Sequence, residues 1–353
     1  MSHPDRGSRN PLVSERRAAS DIVIGLNAVV VAVTGGEPRI LTVRRVSHSL
    51  GVESQPSNAQ GEIFEALPFG PFDPAGHRTL ELGLRAWVGE QTSLTLGYVE
   101  QLYTFADLGR EANRPGIAAR VVSVGYLALV REAKPAGAGD AHWQDWYRYF
   151  PWEDWRGGQP AIIADSIGPR LIKWARTASD AEECRRRDER VRASFGLIAS
   201  RWDEERVLER YELLYQAGLV PEALLDRGLA PDHSLTEHGR PMAYDHRRIL
   251  ATAMSRLRGK IKYRPVVFEV MPPSFTLLQL LQTVEALAGM GLHKQNFRRL
   301  VEQGGLVEPI GETERGTGGR PAAKFRFRRE VLVERPAPGV RLPGSRRSAA
   351  RNR

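Results

Sequence analysis

The patterned part of the chain opens on an apolar run, IVIGLNAVVVAV, from Ile22 to Val33. A turn at Thr34-Gly35-Gly36-Glu37-Pro38 leads into ILTVRRV from Ile40, where Leu41 and Val43 alternate with Thr42 and Arg44. Two β-branched runs around paired glycines predict a strand hairpin. Ser47 to Gly61 is polar and predicts a loop, and Ile63 to Leu67 a short strand. From Thr79 to Gln91, Leu80, Leu84 and Val88 recur at helical spacing, which predicts a helix with one apolar face. Tyr98 to Phe105 and Ala119 to Val130 return to the strand pattern. Residues 21–134 thus predict a mixed α/β domain, preceded by a flexible arm over 1–20.

The pattern changes after the linker KPAGAGD, Lys134 to Asp140. WQDWYRYFPWEDW places four tryptophans between Trp143 and Trp155. Aromatics this dense predict a packing cluster; a stacking surface for a base is the alternative. Ala161 to Arg227 is helical in composition, Ser179 with Glu182 fits a capping box, and Val207, Tyr211 and Leu214 share a helical face. Residues 135–244 read as a Trp-rich helical insert or linker, a bridging or dimerisation element. Within it, Asp232 to Arg240 reads as a polar loop rather than a metal site.

Residues 245–330 begin with RRILATAMSRLRGKI, an amphipathic basic helix. FTLLQLLQTVEALAG predicts a second helix and HKQNFRRLVEQGG a third. In the third, Phe297, Leu300 and Val301 point inward, and Lys294, Gln295, Arg298, Arg299 and Glu302 outward. LVEPIGETERGTGGRPAAKFRFRR then gives strand, Gly-rich loop, strand. Helix, helix, turn, helix and basic hairpin is the order of a winged helix-turn-helix. Residues 331–353 read as a basic disordered tail.

Charge sharpens this division. The net charge of the 353 residues is +9, but 246–330 alone hold 16 Lys and Arg against 7 Asp and Glu. A polyanion partner for the C-terminal third follows. Lys294, Gln295, Arg298 and Arg299 would reach phosphates and base edges of double-stranded DNA, and Arg315, Arg320 and Lys324 would charge the wing. The alternative is a winged helix that packs on protein with its charges solvated. No apolar run approaches the ~20 residues that span a membrane. The N-terminus has no apolar core of a secretory signal, and the single cysteine, Cys184, forms no internal disulfide. A cytoplasmic protein is expected.

The candidate chemistry lies in LPFGPFDPAGHRTLELGLRAWVGEQTSL, Leu67 to Leu94. It has the outline of the Nudix box, G-x5-E-x7-R-E-U-x-E-E-x-G-U, U being a bulky aliphatic. In that box three carboxylates at i, i+3 and i+4 share one helix face and hold Mg²⁺ or Mn²⁺ against a pyrophosphate. Here Ala86 stands at the Arg, Trp87 at the first metal Glu and Gln91 at the last, Ser93 replaces the Gly, and Glu90 alone survives. One carboxylate holds Mg²⁺ weakly. No catalytic residue and no metal site are therefore expected. The rival is an active pyrophosphohydrolase using acids outside the box, with Glu62, Glu65 and Glu81 nearest. The plainest alternative is a helix after a Pro-rich turn.

Taken together, the box segment with YVEQLYTFADLGRE and ARVVSVGYLALV, and the C-terminal SRLRGKIKYRPVVFEVMP, FTLLQLLQTVEAL, HKQNFRRLVEQGGLVEP and GGRPAAKFRF, resemble Nudix-related transcription regulators of NAD metabolism. The C-terminal strings look like the NrtR group. The insert, entered through WYRYFPWEDW, looks like the related NadQ group. The resemblance implies an α/β Nudix-like domain, a helical insert and a C-terminal winged helix-turn-helix. It implies a homodimeric repressor of NAD biosynthesis genes on a palindromic operator. Its effector would be an adenine nucleotide (NAD, ATP or ADP-ribose), with no cofactor required. By position the effector pocket would lie between the box helix and its facing strands. Arg44 and Arg45 would meet phosphates, Phe69, Phe72, Trp87 and Tyr126 would stack on or wall the ligand, and Glu90 is the remaining box acid. The insert would be the lever between the two ends.

Overall fold

The computed structural model describes residues 22–46, 63–106, 120–131, 141–197, 201–230, 232–314, 321–335 and 337–340. Strands β1 (Ile22–Thr34) and β2 (Glu37–Val46) form the expected hairpin, closed by Gly35 and Gly36 at φ 60 and 80. Two consecutive positive-φ residues match the twist of the strands they join, which is what the paired glycines provide. β3 (Ile63–Ala66), β4 (Phe69–Pro71), α1 (Leu80–Thr92), β5 (Tyr98–Phe105) and β6 (Arg120–Leu129) follow. The sheet runs β3-β2-β1-β6-β5, with β4 added on β1. β1 and β6 are parallel; β1–β2, β2–β3 and β5–β6 are antiparallel.

The two faces of β1 serve two cores, because successive strand residues point to opposite sides. Leu26, Ala28 and Val30 meet Leu84 and Val88 of α1. Val29 and Val31 join a larger core on the other face. A mixed sheet with a central parallel pair and the box helix on one face is a Nudix-like fold. One strand lies beyond the expected boundary at 134: β7 (Ala141–Asp145) pairs with β2, Leu41 opposite Trp143. Its short alternation was masked by the aromatic run that follows it.

That run is a packing cluster. Trp146, Tyr149, Phe150 and Trp152 have no exposed surface. Helices α2 (Gly168–Ala175), α3 (Ala181–Phe195), α4 (Val207–Gln216) and α5 (Pro221–Leu225) complete the insert. The cap of α3 is Asp180, one residue after the expected Ser179. Its carboxylate accepts from the Glu183 amide at 2.7 Å, and the Ser179 hydroxyl instead donates to Asp180. A carboxylate there also meets the positive end of the helix dipole.

Helix α6 (His246–Ile261) forms where the amphipathic basic helix is expected, but not all of its basic residues lie on the solvated face. Arg247 and Arg258 are fully buried. Buried Glu153 of the aromatic run accepts from Arg210 Nε at 2.5 Å and from Arg258 Nη1 at 2.6 Å. Arg247 bonds the Tyr149 carbonyl and Glu222. Arg248, Lys260 and Lys262 pair with Glu212, Glu100 and Glu204. Much of the basic charge of this segment is thus spent inside the protein.

The C-terminal unit holds β8 (Phe275–Thr276), α7 (Leu277–Ala288), α8 (Lys294–Gln303), β9 (Val307–Glu314) and β10 (Ala322–Phe327), with a three-stranded sheet ordered β8-β10-β9. Thr276 and Gln279 form a capping box at α7, and Gly289 ends it at φ 70. Phe327 stacks on Phe268 at 4.3 Å. The expected disordered tail is ordered at its start. α9 (Val331–Glu334) buries Val331, and Val340 is buried with its amide donating to the Ile261 carbonyl at 2.9 Å. These two valines find apolar surface that outweighs the basic composition around them. Residues 1–20 and 341–353 lie outside the described residues.

The units share one hydrophobic core. Tyr147 OH donates to the Ala286 carbonyl of α7 at 2.7 Å, Arg131 Nε to the Met271 carbonyl at 2.7 Å, and Arg156 Nη1 to the Gly36 carbonyl at 2.9 Å. The insert packs on both the sheet and the C-terminal unit, which also touch each other directly. No helix among the described residues is long and apolar enough to cross a membrane.

Candidate functional site

Helix α1 is capped by Thr79, whose hydroxyl accepts from the Leu82 amide at 3.1 Å. It ends at Ser93 with φ 56, the left-handed position that a Nudix box fills with glycine. The box alignment expected from the sequence puts Trp87, Glu90 and Gln91 at its three metal positions. Trp87 turns its indole onto the loop, and Nε1 donates to the Pro71 carbonyl at 2.8 Å. Gln91 clamps Phe69 from both sides of one amide: Nε2 donates to its carbonyl at 2.7 Å, and Oε1 accepts from its N–H at 3.4 Å. Both residues that replaced carboxylates now staple α1 to β4. Glu90 is exposed. Among the described residues, no three His, Cys, Asp or Glu side chains are grouped to hold a metal ion.

The structure gathers Phe69, Phe72, Trp87 and Tyr126 on the α1 side of the sheet, against one apolar cluster. Phe69 is buried, with its ring edge-on to Tyr244 at 5.8 Å and His246 at 5.1 Å, so it is core rather than an open stacking platform. Phe72 is half-buried beside the His77 ring. Tyr126 is buried, and burial pushes its phenol pKa up. Arg44 does not join them. It is exposed, but by strand alternation it sits with Ile40 and Thr42 on the face away from α1. The side chain of Arg45 lies outside the described residues.

The rival acids are dispersed as well. Glu65 accepts from Tyr149 OH at 2.5 Å, on the insert side of the sheet. Glu81 pairs with Arg85 at 2.8 Å. Glu62 lies outside the described residues. Sequence reasoning missed a link between the box loop and α6: the Leu67 amide donates to Nδ1 of buried His246 at 3.0 Å. It also missed the Glu153–Arg210–Arg258 cluster, whose one signal was an acid set among tryptophans.

The candidate nucleic-acid surface is α8. Lys294, Gln295, Arg298 and Arg299 are exposed while Phe297 and Val301 are buried, which is the division the periodicity predicts. Arg298 donates to Glu302 at 2.8 Å and Arg299 to Asn296 at 2.9 Å. Lys324 of β10 is half-buried, 3.9 Å from Glu312. Arg315 and Arg320 lie outside the described residues.

Residues 267–327 match the family described as the NrtR DNA-binding winged helix domain. This stretch is similar to an NrtR-type winged helix. An ADPR responsive transcriptional repressor NtrR of Acinetobacter baylyi is 37% identical to the chain over 86 residues. That alignment covers 24% of this chain and 34% of the relative, about a third of the relative's length. NrtR of Shewanella oneidensis, solved in complex with a 27mer DNA, superposes over 88% of this chain and 95% of its own, at 20% identity and a TM-score of 0.49. A MutT/nudix family protein from Enterococcus faecalis does so over 93% and 90%, at 14% identity and 0.47.

Proposed function

We propose that the protein is a homodimeric DNA-binding repressor of NAD biosynthesis genes, controlled by an adenine nucleotide that it does not hydrolyse. ADP-ribose is the first effector to test, because the Acinetobacter baylyi relative is described as ADPR responsive; NAD and ATP are the others. The observation that carries the reading is a pairing of features. An NrtR-type reader with an exposed basic helix shares one core with a Nudix-like sheet. In that sheet Trp87 and Gln91 spend the metal positions on hydrogen bonds to the loop.

Two readers related by a two-fold axis would meet a palindrome with half-sites on one side of the duplex. Lys294, Gln295, Arg298 and Arg299, with the wing residues Arg315, Arg320 and Lys324, would supply phosphate and base-edge contacts. The nucleotide shifts DNA binding only by the difference in its affinity for the DNA-competent and incompetent states.

A gel shift with DNA from upstream of the protein's own gene, repeated with ADP-ribose, NAD and ATP, tests this. A salt-sensitive complex whose affinity one nucleotide changes is the expected result. No salt-sensitive complex would overturn it. Steady ADP-ribose turnover with Mg²⁺ or Mn²⁺, abolished by Glu90→Gln, would establish the hydrolase instead.

A further inference from the structure

Helix α6 is gripped at its two ends by different parts of the molecule. At its start, residues 243–246 are stitched to the strand and loop that lead into β4. The Ala243 amide donates to the Glu65 carbonyl at 2.9 Å, and the Leu67 amide donates to Nδ1 of His246 at 3.0 Å. His246 is the first residue of α6 and has no exposed surface. Its ring and those of Tyr244 and Phe69 meet edge-on in a triangle, with centroids 5.1 to 5.8 Å apart. Phe69 is held in turn by Gln91 in the last turn of α1, beside the box acid Glu90. The box helix, β4 and α6 thus share one joint. Its backbone is strained: Tyr244 has φ 56, a left-handed conformation that a bulky residue keeps only where its surroundings hold it.

At its far end α6 holds the turn that leads into α8. Arg258 Nε donates to the Leu287 carbonyl in the last turn of α7 at 3.1 Å, and Nη1 to buried Glu153 at 2.6 Å. A cation suits that negative end of a helix. Gly289 ends α7 at φ 70, and a Cβ built there would stand 2.4 Å from Arg258 Nη2. The Leu292 amide donates to Glu285 of α7 at 2.7 Å, and α8 begins two residues later at Lys294. The 16 residues of α6 span about 24 Å. A packed helix of that length moves as one piece.

We infer, resting on the effector reading above, that α6 is the lever of that control and that His246 is the positioning residue coupling it to the box. The role expected of the insert passes to the helix that follows it. A nucleotide on the α1 side of the sheet shifts Phe69 against His246 and Tyr244. Helix α6 carries the shift along its axis, and Arg258 delivers it to the turn that sets α8. The nucleotide favours one of two positions of this helix. His246 therefore governs how strongly the nucleotide and DNA affect each other, and not the binding of either alone.

Fluorescence anisotropy of the full-length protein on DNA from upstream of its own gene, with and without ADP-ribose, NAD or ATP, tests the lever beside a titration of each nucleotide alone. His246→Phe keeps a ring in the triangle and removes the acceptor for the Leu67 amide; His246→Asn restores an acceptor. We expect His246→Phe to bind nucleotide and nucleotide-free DNA within about threefold of the wild type, while the effect of nucleotide on DNA affinity falls from about fivefold or more to below about twofold. His246→Asn should recover much of it. Full coupling in His246→Phe, or no recovery in His246→Asn, overturns the lever and leaves the effector reading standing. Should His246→Phe fail to fold, hydrogen exchange of the wild type decides, since nucleotide should change exchange over 63–70, 243–250 and 286–293 together. A nucleotide effect on DNA with no change over 243–250 or over 286–293 overturns the lever alone. A wild-type protein whose DNA binding none of the three nucleotides changes overturns the effector reading, and the lever with it.

Discussion

The indole of Trp87 lies against the backbone of Gly70, so close that a Cβ built on Gly70 would stand 2.2 Å from the ring. The contact leaves no room for a side chain at Gly70. Gly70→Ala is expected to push the indole off the loop and break its hydrogen bond to Pro71. The cost should be that of overpacking, about 1–3 kcal/mol. Urea unfolding checks it. A midpoint equal to that of the wild type would mean that the indole has an equally good alternative position.

The ion cluster at the join of insert, α6 and α7 makes a stronger demand. Glu153 is fully buried and accepts from Arg210 and Arg258, which are also fully buried. Arg210 lies 3.6 Å from the centre of the Trp202 ring, and Trp202 stacks on Trp155 at 4.3 Å. Removing the one anion leaves two buried cations without a counter-charge. Glu153→Gln should destabilise the fold by roughly 3–5 kcal/mol, as for other broken buried pairs. A loss below about 1 kcal/mol would mean that water solvates the two guanidinium groups.

These residues also mark what could be read in advance. The hairpin, the box helix, the later strands and the three reader helices were legible, because one-sided burial writes a period of 2 or 3.6 into the chain. The exposed face of α8 followed from the same rule. What failed was reading a basic helix as a solvated one: Arg247 and Arg258 look like surface charges until their acid partners, 25 and 105 positions away, are known. Long-range pairing leaves no local period. Arg44 was misplaced for the opposite reason, since its face was fixed by alternation with Leu41 and Val43 and only the position of α1 was needed to read it.

His238 gives the fold an acid-side weakness. Its ring is buried, Nδ1 meets the Leu219 carbonyl at 2.8 Å and Nε2 meets Ser166 Oγ at 2.8 Å. Burial holds its pKa below the usual histidine value, with Arg170 and Arg247 adding to the effect against Glu237 and the Leu219 carbonyl. The unfolded chain therefore binds the proton more readily than the folded one. Stability should be constant from this source above about pH 6.5 and fall as pH drops below it, down to the lowered folded value. His238→Asn, which can keep a donor near the Leu219 carbonyl, should flatten that part of the stability–pH curve. Equal slopes in the two proteins between pH 5 and 6.5 would assign the titration elsewhere.

On α8, under the proposed function, Glu302 would compete with DNA for Arg298. The pair is exposed, at 2.8 Å along one helix, so it costs little to break and leaves no buried charge behind. Glu302→Gln removes an anion from the DNA-facing surface and frees the guanidinium. It should tighten binding to any duplex by roughly three- to tenfold at low salt, with little change in preference among sequences. Arg298→Ala should do the reverse and lower the slope of log K against log salt by about one if the contact is to phosphate. Should Arg298 read a base edge, its loss would instead relax preference at one operator position at a cost of about 1–3 kcal/mol. Binding measured over a salt series on the operator and on unrelated DNA separates the two, and indifference of both variants would move α8 off the duplex altogether.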